Sequence, residues 1–524
     1  MTSQRKADPV SALNYDCLNL EFQKLSLQDL ARAEQVSTTW KSAVEDWASG
    51  QGLLYHFPDV WKKVNAKHHL RTTEGKKIAL AAFKQAASEK LTTDRWLTAN
   101  PKWAIEYGAG HDDHETRGIS AAGNFIAWGK KDPGCIFYQR VGYQPSDDGS
   151  RLPYPVKKLN LDALRNAATY WMYMHAGGLL YVTRRVLQIS YMEHVFDLET
   201  GKELWSKEVL CYPTTDRSNP WHTLHLPAAI GWERLYRPTE TGSVMEAYDL
   251  RTGALLYSIP WALGFTQKID YTHVWRLQGR EIIVVISVTS NQQPPIARFH
   301  LIDAQIGHRI QLIEHKCSPP VPGASAFHDP LFYASTRRGE LSFAVVEEID
   351  HPTPRLGKTH ATIQIYDYDA PVGQFVARSP ETLSLRGMGF GSWHFLNCRR
   401  AYDPFRRFLV DRFTLFPFGE TEDGVTRLAA GVNIAHDSRA ENKALDIGWS
   451  SPERISVDTF QAFRIGRNRL FVGMDDTGKD RGFANAAQIV EFGHGSDVPP
   501  PTEDTLVDPN EDHGIMIRDP CRYV

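Results

Sequence analysis

The sequence has few cysteines, six in 524 residues, and no two of them are spaced as CxxC. Cys17, Cys135, Cys211, Cys317, Cys398 and Cys521 are scattered along the chain. That distribution opposes a zinc ribbon and gives no disulfide framework, so a reduced protein of the cytoplasm and/or nucleus is expected. Also missing is any run near the ~20 apolar residues that span a bilayer. The greasiest stretch, Ile282-Ile283-Val284-Val285-Ile286-Ser287-Val288, has the length and β-branching of a strand. Excess charge of one sign is lacking too, with 59 basic and 62 acidic residues and a net charge of −3. A protein that coats nucleic acid through bulk charge is more basic than this. Neither nucleic acid nor a membrane is expected as a partner. The first 16 residues contain basic side chains but neither an uninterrupted apolar core nor a small-residue cleavage site, so no signal peptide is expected. GxSxG and HExxH are absent.

What is present is ordinary globular chemistry. Hydrophobic residues make up 42% and charged residues 23%, which opposes wholesale disorder. A chain of 524 residues exceeds the ~100–200 of one domain, so two or more are expected.

Residues 1 to about 100 read as helical. Leu13, Cys17, Leu18, Phe22 and Leu25 recur at near-helical intervals, and Leu30, Ala33, Val36, Trp40, Ala43, Val44 and Trp47 form a second stripe. Both fit amphipathic helices, with Ser26 and Asp29 suited to a helix start between them. Lys76 to Lys90 is rich in helix formers. Residues 1–100 hold 14 basic and 11 acidic side chains.

From about Trp103 the texture changes to strand-like runs of five to eight residues between Gly, Pro, Asn and Asp clusters, which reads as all-β. A weak repeat runs through it. Val195-Phe196-Asp197-Leu198-Glu199-Thr200-Gly201 is followed by Lys202-Glu203-Leu204-Trp205; Ala247-Tyr248-Asp249-Leu250-Arg251-Thr252-Gly253 is followed by Ala254-Leu255-Leu256-Tyr257. Fainter copies are Leu301 to Gly307 and Ile365 to Gly373, which places the repeated aspartates at 197, 249, 303 and 367. A strand ends at Asp, whose carboxylate caps the next turn, and Gly four residues later supplies a positive φ before a strand returns. A hairpin at this period implies one four-stranded blade per repeat, hence a β-propeller. About 390 residues at roughly 55 per blade gives about seven blades, with six or eight as alternatives and a long sandwich as the competing fold. Residues 491–524 hold eight acidic and two basic side chains and Pro499-Pro500-Pro501, the composition of a solvated, largely disordered tail.

The segment Leu13 to Ser42 resembles an F-box. Leu13, Asp16, Leu18, Phe22, Leu25-Ser26, Asp29-Leu30, Val36 and Trp40 match that family's pattern, and the spacing from Asp29-Leu30 to Val36 and Trp40 is its most specific part. Asn14 stands where the family usually has proline, Glu21 and Lys24 where it has apolar residues, and Ser37 where cysteine is common. With the repeat behind it, the whole chain resembles the fungal class of F-box proteins with a C-terminal propeller. The resemblance implies a mainly β protein. A helical module at 8–48 and a helical linker at 49–102 precede a propeller of about seven four-stranded blades at 103–495 and an acidic tail at 496–524. It further implies a substrate-recognition subunit of an SCF-type (cullin–RING) ubiquitin ligase. The F-box docks on a Skp-type adaptor, and through it on a cullin scaffold, using Leu13, Leu18, Phe22, Leu25, Leu30, Val36 and Trp40. The propeller binds an unknown target protein, and the chain itself is not an enzyme. The physical logic fits, since about 40 residues cannot bury a proper core alone.

Two readings stand beside this one. The DxxTG turns also resemble the repeat of quinoprotein propellers, which carry pyrroloquinoline quinone and calcium. The adjacent-cysteine pair of that family is missing, so no cofactor is expected. The other is a non-ligase scaffold with a degenerate F-box, as Asn14, Glu21 and Lys24 permit. Gly473-Met474-Asp475-Asp476-Thr477-Gly478-Lys479 meets GxxxxGK, but Asp480 follows where Ser or Thr belongs, so a polar hairpin turn is expected there. His111-Asp112-Asp113-His114-Glu115 reads as a surface loop rather than a metal site, and Gly387 to Gly391 as a turn entering a strand at Trp393. Arg184-Arg185, Arg337-Arg338, Arg399-Arg400 and Arg406-Arg407 suit capture of carboxylate or phosphate. Trp393, Arg399, Arg400, Arg406 and Arg407 are the first candidates for partner binding, because one stretch supplies two pairs and an aromatic.

Overall fold

The computed structural model describes residues 8–493 except 71, 108–115, 131–134, 146–150, 161–169, 176, 188–189, 211–228, 239–243, 261–270, 278–279, 290–293, 319–330, 336–340, 350–359, 385–400, 412–413, 420–425, 429–431, 434–458, 466–467 and 477–486. The chain divides into two compact units. The first holds the residues up to Lys102 and a C-terminal piece beginning at Phe492; the strands from Trp103 to Glu491 belong to the second.

The first unit is helical, and side chains start most of its helices. Asp8 caps α1 (Pro9–Ala12), Asn14 caps α2 (Tyr15–Lys24), Ser26 caps α3 (Leu27–Ala33) and Ser37 caps α4 (Thr38–Trp47). The Asn14 carboxamide accepts from the Cys17 amide at 2.8 Å, so a side-chain cap sets the turn that proline sets in the family pattern. Ser26 Oγ accepts from the Asp29 amide at 3.1 Å and donates to the Asp29 carboxylate at 2.7 Å. That bond and the neighbouring Arg32 hold the Asp29 carboxyl below its usual range. The second apolar stripe is two helices rather than one. Ser37 leaves the helical region and turns its hydroxyl onto the Trp40 amide, which ends the stripe's continuity between Ala33 and Thr38. A wide π turn (Ala48–Gly52) leads into α5 (Leu53–His56) and α6 (Pro58–Asn65), and α7 runs from Thr73 to Thr98. Trp47 is the centre of the core, with the rings of His56, Phe22 and Phe83 at 5.7, 5.8 and 6.2 Å. Near the other end of α7, Trp96 stacks on Phe492 at 3.9 Å.

The second unit is a seven-bladed β-propeller, counted over the described residues. Blade one is Thr116–Ala122, Phe125–Lys130, Cys135–Arg140 and Lys157–Asn160; blade two is Tyr170–His175, Leu179–Leu187, Ser190–Asp197 and Lys202–Leu210. Blade three is Ala229–Ile230, Arg234–Pro238, Val244–Asp249 and Leu255–Pro260; blade four is Tyr271–Leu277, Arg280–Thr289, Ile296–Asp303 and Arg309–Lys316. In blade five, Leu331–Ala334, Ser342–Ile349 and His360–Asp369 are followed by an outer strand in two pieces, Gln374–Ala377 and Glu381–Ser384. Blade six is Ala401–Asp403, Phe408–Asp411 and Thr414–Gly419 with short outer pieces Thr426–Leu428 and Val432–Asn433. Blade seven closes the ring: Thr459–Ile465, Arg469–Asp476 and Ala487–Glu491 take their fourth strand from Trp103–Tyr107, the first strand of the chain. Antiparallel pairing of Trp103 with Glu491 and of Tyr107 with Ala487 removes the exposed edges an open ring would leave.

The repeat is a turn and a clip. Asp197, Asp249 and Asp303 each accept two amides of the turn that follows, at 2.7 to 3.4 Å. A bulge precedes each of them. In blade five Asp367 keeps the ladder position, but the hairpin is two residues longer. The amide of Gly373 there closes on the carbonyl of Asp369, at 2.7 Å, rather than on that of Asp367. Eight residues after the repeated aspartate, a side chain reaches the next blade. Trp205 Nε1 donates to the Leu250 carbonyl at 2.9 Å, and the Tyr257 hydroxyl to the Ala304 carbonyl at 3.0 Å. Gln311 stands at the same offset in blade four and bonds both the carbonyl and the amide of Phe375, at 3.0 and 2.8 Å. The GxxxxGK match also differs from its expected turn: the strand continues through Asp476, and the remainder lies outside the described residues.

Candidate functional site

The seven residues matching the F-box pattern fall into three environments. Leu13 closes α1 and Val36 sits in the break between α3 and α4; they are 42% and 65% exposed. Leu18, Leu25 and Trp40 are half-buried against the Trp47 core. Phe22 and Leu30 lie inside it, 3% and 2% exposed. The Trp40 indole donates to Asp8 Oδ1 at 3.0 Å, the carboxylate that caps α1. Tyr15, Leu20, Leu54 and Tyr55 are exposed as well. Periodicity alone missed them, because each lies off the stripe that marks the buried face.

On the propeller, the arginine pairs have different placements. Trp393, Arg399, Arg400, Arg337 and Arg338 lie outside the described residues, as do His111 to Glu115 and Gly387 to Gly391. Arg406 and Arg407 belong to the turn after Asp403, whose carboxylate accepts the amides of Phe405 and Arg406 at 3.1 and 2.8 Å. Arg406 is buried with its guanidinium 3.5 Å from that same carboxylate. Arg407 takes φ +62°, the left-handed conformation that glycine holds in the repeated turns. Its guanidinium lies 3.1 Å from Glu381 of blade five and over the Phe418 ring at 5.4 Å. Arg184 Nε donates to His194 at 3.4 Å, and burial holds its guanidinium below the ordinary range.

The charged side chains buried between blades serve cohesion. Glu193 of blade two accepts from Tyr181 at 2.7 Å and from Arg237 of blade three. Burial pushes the Glu193 carboxyl up against the opposing pull of Arg237. Glu281 of blade four accepts the Trp232 amide at 2.7 Å and the Tyr236 hydroxyl. Burial raises Glu347, but the hydrogen bonds from His315 and from the Ser318 amide and hydroxyl outweigh it and hold the carboxyl below its usual range. Every one of these carboxylates has a cation, hydroxyl or amide from a neighbouring blade or connection, as a buried charge requires. Among the described residues no group of three His, Cys, Asp or Glu side chains is placed to hold a metal ion, and no helix is long and apolar enough to cross a membrane.

No protein-family model matches this chain, and no curated protein is similar to it in sequence. Solved structures similar to it include the Dos1 propeller, at 10% identity over 75% of this chain and 95% of that one, with a TM-score of 0.35. The β-propeller domain of Cps50 (Swd1) from Myceliophteria thermophila is another, at 10% identity over 74% and 99%, with a TM-score of 0.36. Hsv2 of Kluyvelomyces marxianus covers less, 52% and 73%, at 12% identity and a TM-score of 0.29. Similarity this low carries no function to this chain.

Proposed function

We propose that the chain is a protein-binding scaffold and, more narrowly, the substrate-recognition subunit of an SCF-type ubiquitin ligase. In this reading the helical unit docks on a Skp-type adaptor, the propeller holds the target protein, and the chain performs no chemistry of its own. The observation that carries the reading is Val36. It is a β-branched apolar residue at the specific spacing of the F-box pattern, and it stands 65% exposed in a break that two capped helices define. Single exposed apolar residues are ordinary, so the weight lies on Val36 standing exposed at the pattern's most specific spacing. Leu13 supports the same reading at the end of α1.

Phe22 and Leu30 favour a second reading, a scaffold that no longer binds an adaptor. Both are satisfied inside the helical core, so the unit closes its own interior without a partner. Affinity capture followed by mass spectrometry separates the two. The intact chain should bring down a Skp-type adaptor and a cullin. Leu13→Asp with Val36→Asp, both at exposed positions, should lose them and keep the propeller's other partners. Capture of targets with no adaptor, from intact chain and variant alike, would select the second reading.

A further inference from the structure

The first helix is too short to stand by itself. α1 is a single turn, Pro9–Ala12, and one turn costs more in nucleation than its backbone bonds return. Pro9 presets a helical φ, and the Ala12 and Leu13 amides donate to the carbonyls of Asp8 and Pro9, both at 3.1 Å. These local features start a turn without placing it. Its place comes from α4, against which it lies. Val10 is 7% exposed, and Asp8 Oδ1 accepts two hydrogen bonds, from the Val10 amide at 3.1 Å and from the Trp40 indole at 3.0 Å. One oxygen therefore caps α1 and ties it to a residue 32 positions further along the chain. An N–H that meets a carboxylate makes one of the stronger kinds of hydrogen bond.

Trp40 has a second link through its backbone. Its amide donates to Ser37 Oγ at 3.2 Å, the bond that caps α4 after the break from α3. Val36 stands in that break, next to Ser37. Leu13 follows α1 directly, and Asn14 after it caps α2, so Leu13 is one extended residue between two capped helices. The two exposed apolar residues of the F-box pattern are thus each a short link from the same side chain. The Trp40 ring itself is half-buried beside the Trp47 core, which suits a fixed reference point.

We propose that Trp40 is a positioning residue of the adaptor-docking surface. Its indole fixes Leu13 through Asp8, and its amide fixes Val36 through Ser37. This rests on the adaptor reading above, and it gives the pattern's tryptophan the task of holding the docking residues rather than touching the adaptor. Apolar side chains held in place beforehand bind without the cost of ordering them. The two links are separable. The indole link needs the ring N–H, whereas the amide link survives any residue at 40 except proline.

Trp40→Phe keeps an aromatic ring and the backbone amide but lacks the indole N–H. In the full chain it should weaken binding of a purified Skp-type adaptor roughly tenfold, the equivalent of one hydrogen bond to a charged group. In a Leu13→Ala background the same change should cost about threefold at most, and in a Val36→Ala background it should keep its full effect. Equal losses in both backgrounds would overturn the proposal, because direct contact with the adaptor or general loosening of the unit predicts them. Asp8→Asn, which retains an acceptor oxygen, should lose less than Asp8→Ala, and the reverse order would also overturn it. Amide exchange in the free chain gives a readout that needs no adaptor. Trp40→Phe should speed exchange several-fold in the peptide spanning 9–13 and leave α7 as it was. Unchanged exchange at 9–13 would overturn the tie itself. An intact chain that binds no adaptor would instead refute the adaptor reading, and the docking role of Trp40 with it.

Discussion

His300 makes the fourth blade sensitive to acid, and the size of the effect follows from where it sits. It lies on the third strand of that blade, opposite Val285 and Leu312, 2% exposed, with neither ring nitrogen hydrogen-bonded. Burial, then the positive charges of Arg309 and Arg298, lower its pKa to about 4 from 6.5, with Glu314 opposing weakly. A folded pKa below the unfolded value means the unfolded chain takes up the proton first. The stability this represents is complete above pH 6.5 and is lost as the pH falls towards 4. At pH 5 the loss amounts to about 2 kcal/mol, and across the whole window to about 3 kcal/mol. His300→Leu, of similar volume and without a proton to gain, should flatten that limb. Urea unfolding followed by tryptophan fluorescence at pH 7.5 and pH 5.0, in both proteins, isolates the term. The variant should gain about 2 kcal/mol relative to the parent on going to pH 5.0. An equal loss in both proteins would refute the reasoning, because it would mean that His300 has a partner or water that accommodates its charge. His175, lowered to about 4 by burial and then by Arg251, adds a similar and separable limb.

Other outcomes follow from particular contacts. Leu30→Asp should unfold the helical unit, at a cost of about 3–5 kcal/mol for an uncompensated buried charge, whereas Val36→Asp should leave its thermal transition within ~0.5 kcal/mol; helical circular dichroism distinguishes them. Gly307→Ala should cost more than Gly373→Ala although both have φ near +70°. A Cβ at 307 would lie 2.4 Å from the Pro260 carbonyl, while at 373 the nearest atom is 3.9 Å away. The second should lose about 1 kcal/mol of backbone strain alone and the first at least twice that, in denaturant midpoints. Glu193→Met should destabilise the propeller by about 3–5 kcal/mol by stranding Arg237, and adding Arg237→Met should recover part of the loss; a double variant worse than the single would contradict the pairing.

How much of this could be read from the sequence depends on the distance between the residues involved. The hairpin turns were legible, since Asp249 and Gly253 are four residues apart and the chemistry that joins them is local. The caps were legible for the same reason at Ser26, whereas at Asn14, where the family pattern has proline, the capping role of the carboxamide was not. The split between α3 and α4 was not seen, because an apolar stripe can pass over a short break in register. Asp367 was placed correctly on the ladder, but the longer hairpin shifted the turn to Asp369. Clips such as Gln311 to Phe375 are invisible to any local pattern, with the partners 64 positions apart. Burial was the hardest to read. Phe22, Leu30 and Val36 all match one motif, and only the packing around Trp47 separates the two that face inward from the one that faces water.

The proposed role requires the helical unit to meet an adaptor through its exposed apolar residues. Titration of the purified full chain with a purified Skp-type adaptor measures this directly. A one-to-one complex is predicted, and Leu13→Asp with Val36→Asp should weaken it at least ~30-fold, as loss of two interface anchors requires. No complex with the intact chain, or an affinity untouched by the double variant, would contradict it.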